Sequence, residues 1–369
     1  MINNFLMPTR IISGDGCIDA FAAELKPFGK TAMLVTGSTS AKKNGSLDDV
    51  TAALTKNGQA YFVYDKVKSN PTVPCAYEGA AAAKRGGADF IVAIGGGSPM
   101  DAAKVMALLA RRDMPESELF SGDYGNSALP IIAVPTTAGT GSEVTHYSIL
   151  TNDKAETKTI IATPLFFPKI AFLDAKYIIG LPRDTMINTV IDALSHAIEG
   201  MLSVRAGMLS DTLASCAVKT IISSCDDLEK GSLTKAQYAG LLYASTLAGM
   251  VIANTGTTVV HAMGYSLTYY KDISHGRANG LLLGRYLDFV RGKAPALCDK
   301  ICAAAGLKDE KDINKKLASL LGKPEQLTGA EISHYSAKAA VTKNIQNGLI
   351  PISQSEIETI YKDSMTLSN

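Results

Sequence analysis

The sequence is poor in several things, and each scarcity excludes a class of protein. It has no Trp and only 5 His. It has no charge of one sign to spare: 36 Lys and Arg stand against 35 Asp and Glu, a formal net charge of +1. Nucleic acids and anionic membranes both select a basic excess, so neither is expected as a partner. The chain is 46% hydrophobic and 19% charged, far too apolar for disorder. It lacks the roughly 20 uninterrupted apolar residues of a membrane span. Its most apolar stretch, residues 249–261, is broken by Asn254, Thr255 and Gly256. Met1 to Pro8 has no basic region followed by a long apolar run, so no secretory signal is expected there. The 6 Cys (Cys17, Cys75, Cys216, Cys225, Cys298, Cys302) are scattered through a chain too large to need disulfide staples. They read as reduced thiols in a cytoplasmic protein. Cys298 and Cys302 share a helix face with no His nearby in sequence, and read as core. No fixed-period repeat or low-complexity tract is present.

What remains is a chain of 369 residues, too long for one hydrophobic core and expected to form about two domains. Its first half alternates apolar β-rich runs with helical stretches. Strands are expected at 31–36, 60–64, 90–94, 131–134 and 171–174, helices at 48–57, 77–86 and 100–110, and a hairpin from 148–151 and 158–161. Continuous apolar strands in a β-α-β-α rhythm predict a parallel sheet with helices on both faces. After Leu181-Pro182 the β-runs stop and long helical periodicities follow. The expected division is an α/β domain at 1–180 and an all-helical domain at 181–369.

The 32 Gly cluster informatively. Gly95-Gly96-Gly97-Ser98-Pro99 joins a buried strand to a helix that carries Asp101 and Lys104. Backbone N–H groups can approach an anion there without a Cβ in the way, at the positive end of a helix. Alone, the segment reads either as a phosphate cradle or as a tight Gly-rich turn; it matches neither G-x-G-x-x-G nor a P-loop. A second loop, Pro135 to Thr145, follows the next buried strand and concentrates hydroxyls: Thr136, Thr137, Thr140, Ser142. Two such loops at the carboxyl edge of a parallel sheet point to a dinucleotide. After the first strand come Gly37, Ser38, Ser40, Lys42 and Lys43, with no carboxylate before Asp48. Either this is an ordinary polar loop, or its hydroxyls and cations receive a ribose 2′-phosphate where an acid would repel one. The second reading leads to NADP(H) in preference to NAD(H).

In the helical half, Asp192 and His196 fall at i, i+4 on one helix face. His261 and His275 follow. One carboxylate and three imidazoles make a first shell for Fe²⁺ or Zn²⁺, although Asp192 and His196 alone also read as a helix-surface pair. His334, in a polar helix, reads as surface.

Together these residues resemble the iron-containing (group III) alcohol dehydrogenases, nearly end to end. The resemblance rests on Pro8 to Gly14, Asn70-Pro71-Thr72, Gly95 to Ser98 with Asp101 and Lys104, Pro135 to Thr145, Asp192 to Glu199, His261 and His275-Gly276. It implies a dinucleotide domain with the dehydroquinate synthase-like fold, a helical metal-binding domain, and a site in the cleft between. It implies Fe²⁺, sometimes Zn²⁺, held by Asp192, His196, His261 and His275, with pyrophosphate on Gly95–Ser98 and with Thr136, Thr137, Ser142 and Lys158 lining the rest of the cofactor site. Members with Gly at the position of Gly37 tend to prefer NADP(H), and many members form homodimers, partly through the N-terminal strand. The implied activity is hydride transfer between the cofactor and a small primary alcohol or aldehyde, the metal supplying Lewis acidity, with aldehyde reduction the usual direction. His146 and Tyr147 would face the substrate. One position departs from the family: many members carry a second His four residues after the one matching His261, invoked in proton relay, where this chain has Tyr265. The alternatives within the superfamily are an NAD(H)-dependent polyol dehydrogenase (glycerol or propanediol type) and, more remotely, a dehydroquinate synthase-like lyase.

Overall fold

A computed structural model describes residues 4–368. The chain divides into two compact units, one formed by Met7–Leu181 and the other by Pro182 onward together with the described residues before Met7.

The first unit is built on strands β1 (Arg10–Ser13), β2 (Thr31–Thr36), β3 (Ala60–Tyr64), β4 (Phe90–Gly95), β5 (Ile131–Pro135), β6 (Tyr147–Asn152), β7 (Thr157–Ala162) and β8 (Ile170–Leu173). Its helices are α1 (Cys17–Ala20), α2 (Ser40–Lys43), α3 (Ser46–Lys56), α4 (Val73–Arg85) and α5 (Gly97–Arg111). Six strands form one sheet in the order β1-β8-β5-β4-β2-β3, parallel at every pairing. The wholly apolar runs in β4, β5 and β8 are buried along their whole length, as a sheet covered on both faces requires. On one face Leu34, Val92, Ile94, Val134 and Phe172 pack against Ile18, Leu25, Val50 and Leu54. On the other side α4 and α5 bring Ala76, Ala80, Val105 and Leu108 against Leu150, Ile161 and Phe166. The strand order reverses between β2 and β4, the switch point at whose carboxyl edge ligands of such sheets bind. The antiparallel pair β6–β7 is the expected hairpin.

Helix ends differ from the sequence reading for local reasons. Helix α4 begins at Val73 because the Thr72 side chain accepts the N–H of Cys75 and caps it. Helix α5 starts at Gly97, inside the glycine run that helix propensity disfavours. Strand β1, an edge strand only four residues long, lay below the sequence signal.

The second unit is helical: α6 (Arg183–Met201), α7 (Met208–Lys230), α8 (Lys235–Thr255), α9 (Val259–Lys271), α10 (His275–Lys293), α11 (Pro295–Ala305), α12 (Glu310–Leu321), α13 (Gly329–Ala340), α14 (Lys343–Gln346) and α15 (Gln354–Ser364). It is not purely helical, because β9 (Gln326–Leu327) pairs in parallel with β10 (Thr366–Leu367). Helix α8 is long and apolar enough, by length and composition alone, to cross a membrane, and 56% of its most apolar window is buried inside the fold. It packs on α6 and α7, where a helix that is apolar all round belongs.

Candidate functional site

Helix α6 is buried on every side from Val190 to Met201. Two carboxylates lie in that stretch, Asp192 and Glu199, and an unpaired buried charge would be costly. Each is engaged. Asp192 Oδ1 lies 3.9 Å from His196 Nε2, 3.8 Å from His261 Nε2 and 3.8 Å from His275 Nε2. Burial pushes Asp192 up, but His196, His275 and His261 outweigh it and hold the carboxyl below its ordinary range. His196 follows one turn after Asp192, His261 lies in the first turn of α9, and His275 opens α10. Ligand atoms of Asp192, His261 and His275 all lie within 4.8 Å of one another. His196 stands beside that trio, its ring stacked on His261 at 4.7 Å between centroids.

The donor set fits a divalent transition metal. Ligands about 2.1 Å from a tetrahedral ion lie about 3.4 Å apart, close to the separations observed. The approach of α10 to α6 depends on Gly276: a Cβ there would stand 1.8 Å from the Asn188 carbonyl oxygen and 3.0 Å from Asp192 Cβ. Asn279, fully buried on α10, points its Nδ2 at Asp192 Oδ1 (3.0 Å), His261 Nε2 (3.2 Å) and His275 Nε2 (3.3 Å). Its Oδ1 has no hydrogen-bond partner.

Sequence reasoning assigned no role to Glu199, Asn279 or Asp65. Glu199 Oε2 contacts His261 Nδ1, while Oε1 accepts from Thr258 N, Thr258 Oγ1 and Val260 N at 2.8, 2.8 and 3.0 Å. Its signal was present, seven residues after Asp192 on the same helix face. Tyr265 stacks on His275 at 5.9 Å. Burial pushes its phenol well above the ordinary value, so it stays protonated at neutral pH. In that state its hydroxyl can donate a hydrogen bond.

In the first unit, Gly95–Ser98 turns from β4 into α5, and no side chain caps that helix. The turn abuts the second loop. A Cβ on Gly97 would stand 2.8 Å from Thr140 Cγ2, and Thr136 N bonds Gly95 O at 2.9 Å. The second loop is pinned from beneath by Lys104, wholly buried on α5. Its Nζ donates to Ser142 Oγ (2.7 Å), Thr145 Oγ1 (3.1 Å) and the Tyr147 carbonyl (2.7 Å). Ser142 Oγ in turn donates to Asp101 Oδ1 at 2.8 Å, and Asp101 Oδ2 accepts from Ile149 N at 3.1 Å. Burial pushes Lys104 down to about 8 and Asp101 up. Lys158 Nζ donates to Asn70 Oδ1 at 2.7 Å. Asp101, Ser142 and Lys158, expected at the cofactor, also hold this part of the fold together. Their polar ends are engaged within the unit, and they shape the loops.

Lys42 forms a half-exposed pair with Asp65, Nζ to Oδ2 2.7 Å, and Lys42 holds Asp65 below the usual carboxylate range. Gly37 and Ser38 lie between β2 and α2, and Ser40 opens α2, the helix that carries Lys42. The loop without acids in sequence thus has an acid in space, delivered from the end of β3. The rings of His146 and Tyr147 lie 4.1 Å apart between centroids, tilted at 41° to each other, and both residues are partly exposed. Among the described residues a second set of close donors exists, Cys298, Cys302 and Glu310. Arg291 already supplies a cation there, Nε 2.8 Å from Glu310 Oε2, and burial pushes the Cys298 thiol up to about 12. That cluster is ion-paired core.

A family model described as iron-containing alcohol dehydrogenase matches residues 8–175, and that of the C-terminal part of the Fe-containing alcohol dehydrogenase family matches residues 186–365. The lactaldehyde reductase of Escherichia coli (strain K12) is 32% identical over 289 residues, 77% of this chain and 74% of that protein. A crystal structure of an iron-containing alcohol dehydrogenase from Thermotoga maritima superimposes with a TM-score of 0.91 at 34% identity, covering 99% of both chains. The sulfoacetaldehyde reductase of Bifidobacterium kashiwanohense, solved in complex with NAD+, gives 0.88 at 27% identity over 98% of each chain.

Proposed function

This chain belongs to the iron-containing alcohol dehydrogenase family, and on that premise we propose that it is an Fe²⁺-dependent aldehyde reductase and alcohol dehydrogenase. In this reading it transfers hydride between NADP(H) and a small primary alcohol or aldehyde. The observation that carries the metal half is the single carboxylate oxygen of Asp192 faced by three imidazole nitrogens at 3.8–3.9 Å. The ion, when bound, supplies Lewis acidity toward the substrate oxygen. Asp192, His196, His261 and His275 are the residues that would hold it; Zn²⁺ suits the same donors.

For the cofactor, the N-terminus of α5 and the Gly95–Ser98 turn supply amide donors to the pyrophosphate, with Thr136, Thr137 and Thr140 beside it. The Lys104–Asp101–Ser142 lattice keeps these loops in place. Gly37, Ser38, Ser40 and Lys42 support NADP(H). The Lys42–Asp65 pair favours a second reading, an NAD(H)-dependent polyol dehydrogenase, because an acid at that edge can accept ribose hydroxyls and already satisfies the lysine. His146 and Tyr147 are our choice for contacts to a polar substrate tail. We place the enzyme in the cytoplasm, as a homodimer joined partly along the open edge of β1, with no nucleic-acid or membrane partner.

The test is an anaerobic panel of small aldehydes on Fe²⁺-loaded enzyme, with NADPH and NADH in parallel. Higher kcat/KM with NADPH supports the first reading, and higher kcat/KM with NADH the second. Turnover without net consumption of reduced cofactor would point to a lyase.

A further inference from the structure

Glu199 is a buried carboxylate that the reaction itself has no use for. Its two oxygens divide the work. Oε1 accepts from Thr258 N and Oγ1 at 2.8 Å each, from Val260 N at 3.0 Å and from His261 N at 3.4 Å. These N–H groups belong to the first turn of α9 and its flanking residue, where a helix leaves its amides without partners. Thr258, at the cap position, makes no side-chain cap bond of its own. The cap comes from α6. Oε2 meets the ring of the same His261, at Nδ1.

A carboxylate only accepts, so the proton of the neutral imidazole must sit on Nδ1. Nε2 then keeps its lone pair, and Nε2 is the atom facing Asp192 at 3.8 Å. That is the tautomer a metal ligand needs. One side chain thus fixes the backbone that carries His261, the plane of its ring and the location of its proton. We infer that Glu199 is a positioning residue that presets His261 for a metal ion before the ion arrives. The inference rests on the metal-site reading above.

Glu199→Gln separates this role from a merely structural one. The amide oxygen of Gln can still cap α9. Its NH₂ facing Nδ1 makes that nitrogen an acceptor and moves the imidazole proton to Nε2, the wrong place for a ligand. The probe is Co²⁺, titrated into metal-stripped full-length chain against a competing chelator and read by its visible d–d bands. Long-range ¹H–¹⁵N spectra of the stripped chain report the tautomer. Glu199→Gln is expected to weaken Co²⁺ binding by roughly 10–100-fold, with His261 shifted to the Nε2–H form and the far-UV spectrum kept. Glu199→Asp should recover part of the loss. Thr258→Val, which removes a cap bond without touching the ring, should leave Co²⁺ affinity within a few fold of wild type. Wild-type Co²⁺ affinity and tautomer in folded Glu199→Gln would overturn the inference while leaving the metal site standing, provided His261→Ala loses the ion. No Co²⁺ binding by the wild type would remove both.

Discussion

Replacing Lys104 with Met keeps an unbranched four-atom stem and removes the ammonium group at its end. Three acceptors then lose a charged donor: Ser142 Oγ, Thr145 Oγ1 and the Tyr147 carbonyl. Asp101, 4.0 Å away, loses its nearest cation. A hydrogen bond to a charged group contributes about 1.5–3 kcal/mol net, and the lysine itself carries a desolvation penalty, visible in its lowered pKa. Removing one partner from a buried charged network costs about 3–5 kcal/mol; we expect about 3 kcal/mol here, because Ser142 keeps Asp101. With no Trp in the chain, the local readout is hydrogen exchange by mass spectrometry. A loss of about 3 kcal/mol makes exchange over residues 136–150 faster by on the order of a hundredfold, with peptides of α6 to α10 unchanged. The NADPH dissociation constant should rise in parallel. There is also a pH signature. Lys104 sits at about 8 against 10.5 for an ordinary lysine, so between these values the unfolded chain holds more protons than the folded one. Stability from this group therefore rises with pH across that window, and its penalty is fully present below pH 8. The wild type should gain on the Met variant from pH 8 to 10. Exchange altered by less than threefold, together with a pH-independent gap, would refute the assignment of Lys104 as the pin of the second loop.

Other outcomes follow from single contacts. Gly97→Ala places a Cβ 2.8 Å from Thr140 Cγ2; it should weaken NADPH binding at least tenfold, by fluorescence titration, while leaving metal content unchanged. Gly276→Ala meets the Asn188 carbonyl at 1.8 Å, so α10 must move off α6, and metal content by plasma mass spectrometry should fall by more than half. Tyr265→Phe should leave the pH–rate profile unchanged relative to wild type between pH 6 and 9, since the phenol is pushed far above that range; a shifted limb would assign Tyr265 a part in proton relay. Lys293 and the Ser353 donors hold Glu356 at about 2 against an ordinary 4.5. This carboxylate stabilises α15 above pH 4.5 and loses that contribution as pH falls toward 2. Glu356→Gln should accordingly flatten the acid limb of Tm as pH falls from 4.5 toward 2.

How far the sequence could be read depended on whether a signal was local. Strands β4, β5 and β8 were legible because burial on both faces makes them continuously apolar. Strand β1, paired on one edge only and half polar, carries no such mark. Asp192 and His196 were legible as one turn of one helix, and His261 and His275 because histidine is scarce. Glu199 shares a helix face with Asp192 seven residues earlier, but that spacing alone does not tell a residue that touches a ligand from an ordinary helix carboxylate. Its meaning depends on α9 arriving with its first turn aimed at α6. Asp65 was invisible for the same reason: it lies 23 residues from Lys42, and only the pairing of β2 with β3 brings them together. Lys104 and Asp101 stood in the motif, yet nothing in their spacing revealed that they would turn inward beneath the loop.

The central claim is that a divalent ion held by Asp192, His196, His261 and His275 is required for aldehyde reduction. The most direct measurement strips the chain of metal and follows aldehyde-dependent oxidation of NADPH and NADH as Fe²⁺ is returned anaerobically. The stripped chain should show no activity, recovery should saturate at one ion per chain, and His261→Ala should not recover. Full activity in the stripped chain with chelator present would contradict the claim.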